Sequence, residues 1–291
     1  MAGYDNPSAE LRARVALEKH GFRNSRSLGQ NFLLSESLID SLLDSAEVQN
    51  SDNILEIGPG AGVMTCLLAR RAARVLALEV DRGLQPVLSD VLDGMENAKV
   101  MFQDVMKTDL VELVRSYFGA CPYRVVANLP YYITADILLK LVALPCPPES
   151  ITIMVQREAA ERIMSAPGTK QWCALAAQLQ CYGHAAVLSE VGPEAFDPPP
   201  RVFSRFIRID RHREPLVVPK DDRLFRRLIH AAFAMRRKTL ANNLKAAFGL
   251  DSQKAAQVLE AAGVDGRVRG EALSLQQLCR VADAVSESLQ D

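Results

Sequence analysis

The chain predicts an α/β fold: a largely parallel sheet wrapped by helices, followed by a small all-helical region. Three observations carry that prediction. Short apolar runs alternate with helical stretches from Asn53 to Val155, a glycine-rich turn joins the first of these runs to its helix, and beyond Arg211 only helical periodicity remains. Strands separated by helices require right-handed crossovers, and these give a parallel sheet buried on both faces.

The first fifty residues read as a helical extension, two helices around a polar, glycine-containing loop. Leu38, Ile39, Leu42, Leu43 and Ala46 share one helical face, and Ser27 to Leu33 lies between the helices. Strands are then expected at Ile54–Ile57, Val75–Glu79, Val100–Phe102, Arg124–Ala127 and Ile151–Val155, with helices at Val63–Ala69 and about Leu84–Leu92. Residues 157–182 look helical, Pro193 to Pro200 stiff and extended, and Val202 to Ile209 a last strand. Phe225, Leu228, Ile229, Ala232 and Phe233 then form an amphipathic stripe. Gly263 marks a helix stop, and Ser274 with Gln277 makes a capping box. The expected division is residues 1–212 and 213–291.

At 291 residues and 32.0 kDa, with 48% hydrophobic and 24% charged residues, the chain has the balance of a globular protein and not of a disordered one. No apolar run is long enough to span a bilayer, so no membrane association is expected. Met1–Asp5 shows no basic head before an apolar core, so no secretory leader is expected either. Six scattered cysteines (Cys66, Cys121, Cys146, Cys173, Cys181, Cys279) form no C-x-x-C pair, and the four histidines have no ligand spacing. Reduced thiols in the cytoplasm, with no metal, are the expectation. Net charge is −1, yet residues 201–245 hold thirteen Lys or Arg against four acids, and Arg12 to Arg26 holds five against one. Two concentrated basic stretches fit a polyanionic partner.

Glu56-Ile57-Gly58-Pro59-Gly60-Ala61-Gly62 follows a strand and opens a helix. The dinucleotide pattern G-x-G-x-x-G would need a glycine at position 63, where Val63 stands. G-x-G-x-G suits a ligand without phosphates, such as S-adenosylmethionine. Glu79 ends the second strand, and its carboxylate has acceptors for both hydroxyls of a ribose. Asp104, after the third strand, is placed to read an adenine amino group. At the fourth strand end stands Asn128-Leu129-Pro130-Tyr131. The amine of adenine is a poor nucleophile because its lone pair is delocalised into the ring. An asparagine carbonyl and a backbone carbonyl accepting its two N–H bonds favour a pyramidal nitrogen. Pro130 stiffens the turn that exposes the Leu129 carbonyl, and Tyr131 offers a ring to an extruded base.

With these motifs the sequence resembles the small-subunit ribosomal RNA adenine dimethyltransferases. Five stretches carry the likeness: Leu28–Leu33, Glu56–Gly62, Asn128–Thr134, Phe196–Val202 and Arg236–Leu240. The resemblance implies a Rossmann-like, S-adenosylmethionine-dependent methyltransferase domain with a seven-stranded sheet and a helical, rRNA-binding C-terminal domain. It implies that Gln30, Asn31 and Leu33 line the methionine and ribose end of the cofactor, and that Gly58, with Gly60 in the same loop, meets the methionine portion. Glu79 then takes the ribose, Asp104 and the Val105 backbone the adenine, and Asn128 bridges cofactor and target base. Phe196 closes on the base opposite Tyr131, and Arg236, Arg237 and Lys238 meet RNA backbone, with Lys170 adding to that surface. The implied reaction dimethylates N6 of two adjacent adenines in a 3′-terminal hairpin loop of 16S rRNA during small-subunit biogenesis, with a monomer acting on small-subunit rRNA, either free or in the assembling subunit. Trp172-Cys173 stands where the family usually has Tyr-Gly, and Tyr132 where a polar residue is common.

Three rival readings remain. A large-subunit rRNA adenine methylase shares the Asn128 motif, but Phe196–Val202 and the Arg236 cluster favour the small-subunit branch. A non-catalytic, transcription-factor-like relative is opposed by the intact Glu79 and Asn128–Tyr131. A nicotinamide oxidoreductase is opposed by Val63.

Overall fold

The computed structural model describes residues 7–25, 28–120 and 122–289. Arg26, Ser27, Cys121 and Met1–Asp5, all used above, lie outside them. The chain divides into two compact units, Met1–Ala160 with Ala185–Asp210, and Glu161–His184 with Arg211–Asp291.

The sheet is built from β2 (Asn53–Ile57), β3 (Arg74–Glu79), β4 (Ala98–Phe102), β5 (Arg124–Asn128), β6 (Ser150–Gln156), β7 (Gly183–Val191) and β9 (Ser204–Arg211), in the order β4-β3-β2-β5-β6-β9-β7. A two-residue β1 (Phe32–Leu33) pairs antiparallel with β8 (Phe196–Asp197). β2 runs parallel to β3 and β5, β3 to β4, and β5 to β6, while β9 is antiparallel to β6. Successive strands β2, β3 and β4 step one way and β5 and β6 the other. The switch point therefore lies beside β2, where open α/β sheets bind ligands at the carboxyl ends of their strands.

Continuous apolar runs make the central strands because helices cover both faces. Every residue of β2 is buried, and so is every residue of β3 after Arg74. β7 was not expected. It is an edge strand buried only at its two ends, so its sequence lacks a clean alternation of apolar and polar residues.

Around the sheet lie α1 (Ala9–Lys19), α2 (Glu36–Ser45), α3 (Val63–Arg71), α4 (Gln85–Val91), α5 (Leu110–Phe118) and α6 (Thr134–Val142). The two N-terminal helices stand where the periodicity put them. Each caps the other: the Glu10 amide donates to Glu36 Oε2 (3.3 Å), and the Glu36 amide donates to Glu10 Oε2 (3.2 Å). Two orphan N–H groups are satisfied, and each carboxylate faces the positive end of a helix.

The second unit holds α8 (Ala174–Tyr182), α9 (Asp222–Ala234), α10 (Leu240–Phe248), α11 (Ser252–Ala261) and α12 (Leu275–Ser288). It takes in residues 161–184, which a single cut at 212 had assigned to the first unit. The reason is packing. Trp172, fully buried, shares a core with Phe225, Leu228 and Ile229, donates from Nε1 to the Leu273 carbonyl (3.1 Å), and meets Phe233 edge-on. Each large apolar side chain buried there contributes about 1.5–3 kcal/mol. The helix read over 157–182 is broken: α7 (Arg157–Ile163) ends early and α8 starts at Ala174, with Pro167-Gly168 between them. The Pro193–Pro200 stretch is one tight helical turn, then β8, then the cis peptide Asp197–Pro198. The Ser274–Gln277 capping box is present with both its bonds, and Gly263, at φ +66°, follows the end of α11.

Candidate functional site

Four strand ends converge on one cavity of 290 Å³, at the lower end of the usual range for small-molecule sites. The glycine turn after β2 brings Gly58 and Gly60, the end of β3 brings Glu79, the turn after β4 brings Asp104 and Val105, and the end of β5 brings Asn128 to Tyr131. Gln30, Asn31 and Leu33 close it from the N-terminal segment. All nine residues expected at a cofactor line this cavity, which lies within the first unit.

Position 60 favours glycine on two counts. Its φ is +56°, and a Cβ would stand 3.0 Å from the Phe32 ring. Its amide donates to Glu79 Oε2 (3.2 Å), while the amides of Val80 and Asp81 both donate to Oε1 (2.8 Å each). Burial pushes the Glu79 carboxyl up, and the three backbone bonds oppose that by favouring the charged form. A carboxylate offers about four acceptor sites, so three are already engaged and Oε2 holds the spare one. Asp104 is partly engaged too: its Oδ1 accepts from the Met106 amide (2.9 Å).

The N-terminal segment is tied to the site by its own polar groups. Gln30 donates to Asp81 Oδ2 (2.8 Å) and accepts from the Ser25 amide (2.6 Å), so its side chain is committed to holding the segment in place. Asn128 Nδ2 donates to the Asn31 carbonyl (3.2 Å), which leaves Oδ1 as the free acceptor at the cavity wall. The Tyr131 hydroxyl lies 2.8 Å from Ser204 Oγ, and Leu129 is buried. Phe196 is not brought to the wall. It is 4% exposed, pairs with Leu33 across β1–β8, and belongs to the core.

The model of the ribosomal RNA adenine dimethylase family matches residues 21–287. The chain belongs to that family. It is similar to the ribosomal RNA small subunit methyltransferase A of Streptococcus thermophilus, 40% identical over 94% of this chain and 96% of that protein. The protein of the same name from Shouchella clausii is 42% identical over 96% of this chain and 95% of its own. Among solved structures, a dimethyladenosine transferase from Plasmodium falciparum has the same fold, with a TM-score of 0.69 at 22% identity over 85% of this chain and 94% of that one.

Glu56 opens the glycine motif of this adenine dimethylase, but the motif alone gives it no role. It lines the cavity, is 1% exposed, and its Oε2 has no hydrogen-bond partner. Burial drives its carboxyl up to about 8, and the neighbouring Glu79 adds to the rise. The signal was present: an acid inside the apolar run Asn53-Ile54-Leu55-Glu56-Ile57 is costly unless something compensates it.

In the second unit of the dimethylase, Arg236, Arg237 and Lys238 are exposed in the turn between α9 and α10. Arg236 donates to the Lys170 carbonyl (2.7 Å) and to Glu271 (3.3 Å), so Lys170 does share this surface. Among the described residues no partner is found for the side chains of Arg237 and Lys238. Also among the described residues, no His, Cys, Asp and Glu cluster could hold a metal, and no helix is long and apolar enough to cross a membrane.

Proposed function

We propose that this chain transfers methyl groups from S-adenosylmethionine to N6 of two adjacent adenines in a 3′-terminal hairpin loop of small-subunit rRNA. We further propose that it acts as a monomer, in the cytoplasm, on the assembling subunit, and that its helical unit binds the RNA. The observation that carries the reading is Asn128, held at the cavity wall by the Asn31 carbonyl with its own carbonyl free.

The cavity suits the cofactor on chemical grounds. Two buried carboxyls, Glu56 and Glu79, face a ligand that brings an ammonium, a sulfonium and ribose hydroxyls. Glu56 Oε2, without a protein partner, suits the ammonium, and the one spare acceptor on Glu79 suits a ribose hydroxyl. Asp104 and the Val105 backbone suit the adenine edge. When bound, S-adenosylmethionine supplies an electrophilic methyl on its sulfonium.

The chain's own residues do the rest by positioning. Asn128 Oδ1 accepts one N–H of the target amine, and the Leu129 carbonyl accepts the other. This holds the nitrogen pyramidal, with its lone pair aimed into the cavity. Tyr131, its hydroxyl fixed on Ser204, presents a ring to the extruded base. No strong base is needed, because the nitrogen becomes acidic once alkylated. With Phe196 in the core, its contribution is to hold Leu33 at the wall through the β1–β8 pair.

Asn128→Ala is expected to lower single-turnover methyl transfer to unmethylated small subunits by ~10²–10³, the cost of one preorganised donor or acceptor. RNA affinity should stay near that of the parent. Near-normal transfer by the variant would refute the role.

A further inference from the structure

We propose that Phe203, with the Arg157 guanidinium lying over its ring, is a platform for the RNA base next to the adenine being methylated. The inference rests on the reading of this chain as an RNA adenine methyltransferase and adds a second base-binding position to it.

Phe203 is a large aromatic ring left 43% exposed. A single exposed apolar residue needs no explanation by itself. This one is built in. The Arg157 guanidinium lies over the ring, 5.3 Å from its centroid, and the Arg157 amide donates to the Phe203 carbonyl (3.0 Å). Backbone therefore fixes the pair. Glu190 is 4.0 Å from Arg157 and lies closer to Arg205 (3.1 Å), so this carboxylate opposes the Arg157 charge only weakly.

The location makes the pair relevant to the acceptor. Arg157 follows β6 and Phe203 precedes β9, whose registered partners Gln156 and Ser204 sit side by side. That is the end of the sheet where β5 delivers Asn128. Ser204, the residue next to Phe203, carries the hydroxyl that meets Tyr131. The exposed ring is thus the immediate chain neighbour of the residue whose contact fixes the cavity wall.

The chemistry names the occupant. Extruding an adenine uncovers the face of its neighbour, which loses a stacking partner. An aromatic ring and a planar guanidinium are the two protein surfaces on which unstacked bases pile, and neither demands a particular base. Arg157 adds a positive charge for the flanking phosphate.

The test uses small ribosomal subunits from cells lacking the methylation, with the parent chain, Phe203→Ala and Phe203→Trp. Stacking of one base on an aromatic residue predicts a KM for subunits raised roughly ten- to a hundredfold in Phe203→Ala. The effect on kcat should be smaller, and affinity for S-adenosylmethionine should hold. Phe203→Trp should restore KM. In chemical probing of bound subunits, one base flanking the target adenines should be protected by the parent and by Phe203→Trp, and exposed with Phe203→Ala. Unchanged KM and protection in Phe203→Ala would overturn the platform. So would a parallel loss of cofactor affinity, which would mean that the ring packs the fold. If the parent itself methylates no adenine of the subunit, the functional reading falls and takes the platform with it.

Discussion

Glu56 shows at the residue scale how a cavity prepares for a charged ligand. Its carboxyl is buried in the cavity wall, Oε2 has no partner, and the Thr65 hydroxyl faces it without a well-formed bond. The folded carboxyl titrates near 8, against 4.5 for an ordinary glutamate. Between those values the folded chain keeps a proton that the unfolded chain has released, so stability falls as pH rises through the window. Each pH unit of it is worth about 1.4 kcal/mol at most. Glu56→Gln removes the burden. The variant is expected to unfold at a higher temperature than the parent at about pH 8, with the difference shrinking toward about pH 5. Its affinity for S-adenosylmethionine should nonetheless fall, because a neutral amide holds an ammonium less well. Thermal unfolding across that range, with calorimetric titration of the cofactor, checks both. An advantage that grew with falling pH would contradict the assignment.

At the scale of elements, the segment from Leu28 to Leu33 depends on partners far away in the chain. Gln30 reaches Asp81, Asn31 holds Asn128, and β1 pairs with β8. Asp81 joins two of these structures: Oδ2 takes Gln30, while Oδ1 takes the Gly83 amide (2.9 Å) in the turn after β3. Asp81→Ala should release the segment without disturbing the sheet. The expected result is roughly ten- to a hundredfold weaker cofactor binding, the loss of one hydrogen bond with a charged partner. Amide hydrogen exchange should quicken over residues 28–33, and unchanged exchange would sink the idea. These ties also mark where sequence reading stopped. The strands β2 to β6 are legible as short apolar runs, and the turns after β2, β3 and β4 as a glycine or an acid at the strand end. That Gln30 faces Asp81, or that Phe196 packs inward behind Leu33, follows from pairings across the chain that no local period encodes. β7 was hidden by its half-exposed edge position, and residues 161–184 by a core that only the folded helices assemble.

At the scale of the molecule, the basic stretch 201–245 looks different once its pairs are known. Arg205 faces Glu190, Arg208 faces Glu47 and Asp210, Lys220 faces Glu287, and Arg226 faces Asp222. Arg227 lies over the Phe248 ring at 4.6 Å. Part of the excess positive charge is thus neutralised within the fold by Glu47, Glu190 and Glu287 from outside the stretch, and a count of basic residues overstates what RNA would meet. Arg237 and Lys238 are different, exposed in the α9–α10 turn beside an Arg236 that Glu271 and the Lys170 carbonyl hold. If the turn contacts phosphates, the double variant Arg237→Ala with Lys238→Ala should weaken binding to small subunits. The slope of log affinity against log salt should flatten by about 0.7–0.9 for each lost contact. Arg236→Ala should flatten it less, because that side chain works first as a strut for the turn. Cofactor affinity should stay constant in both variants, since every residue lining the cavity belongs to the other unit. Binding measured across a salt series separates the cases. An unaltered slope in the double variant would return the turn to ordinary surface charge and shift the docking face elsewhere.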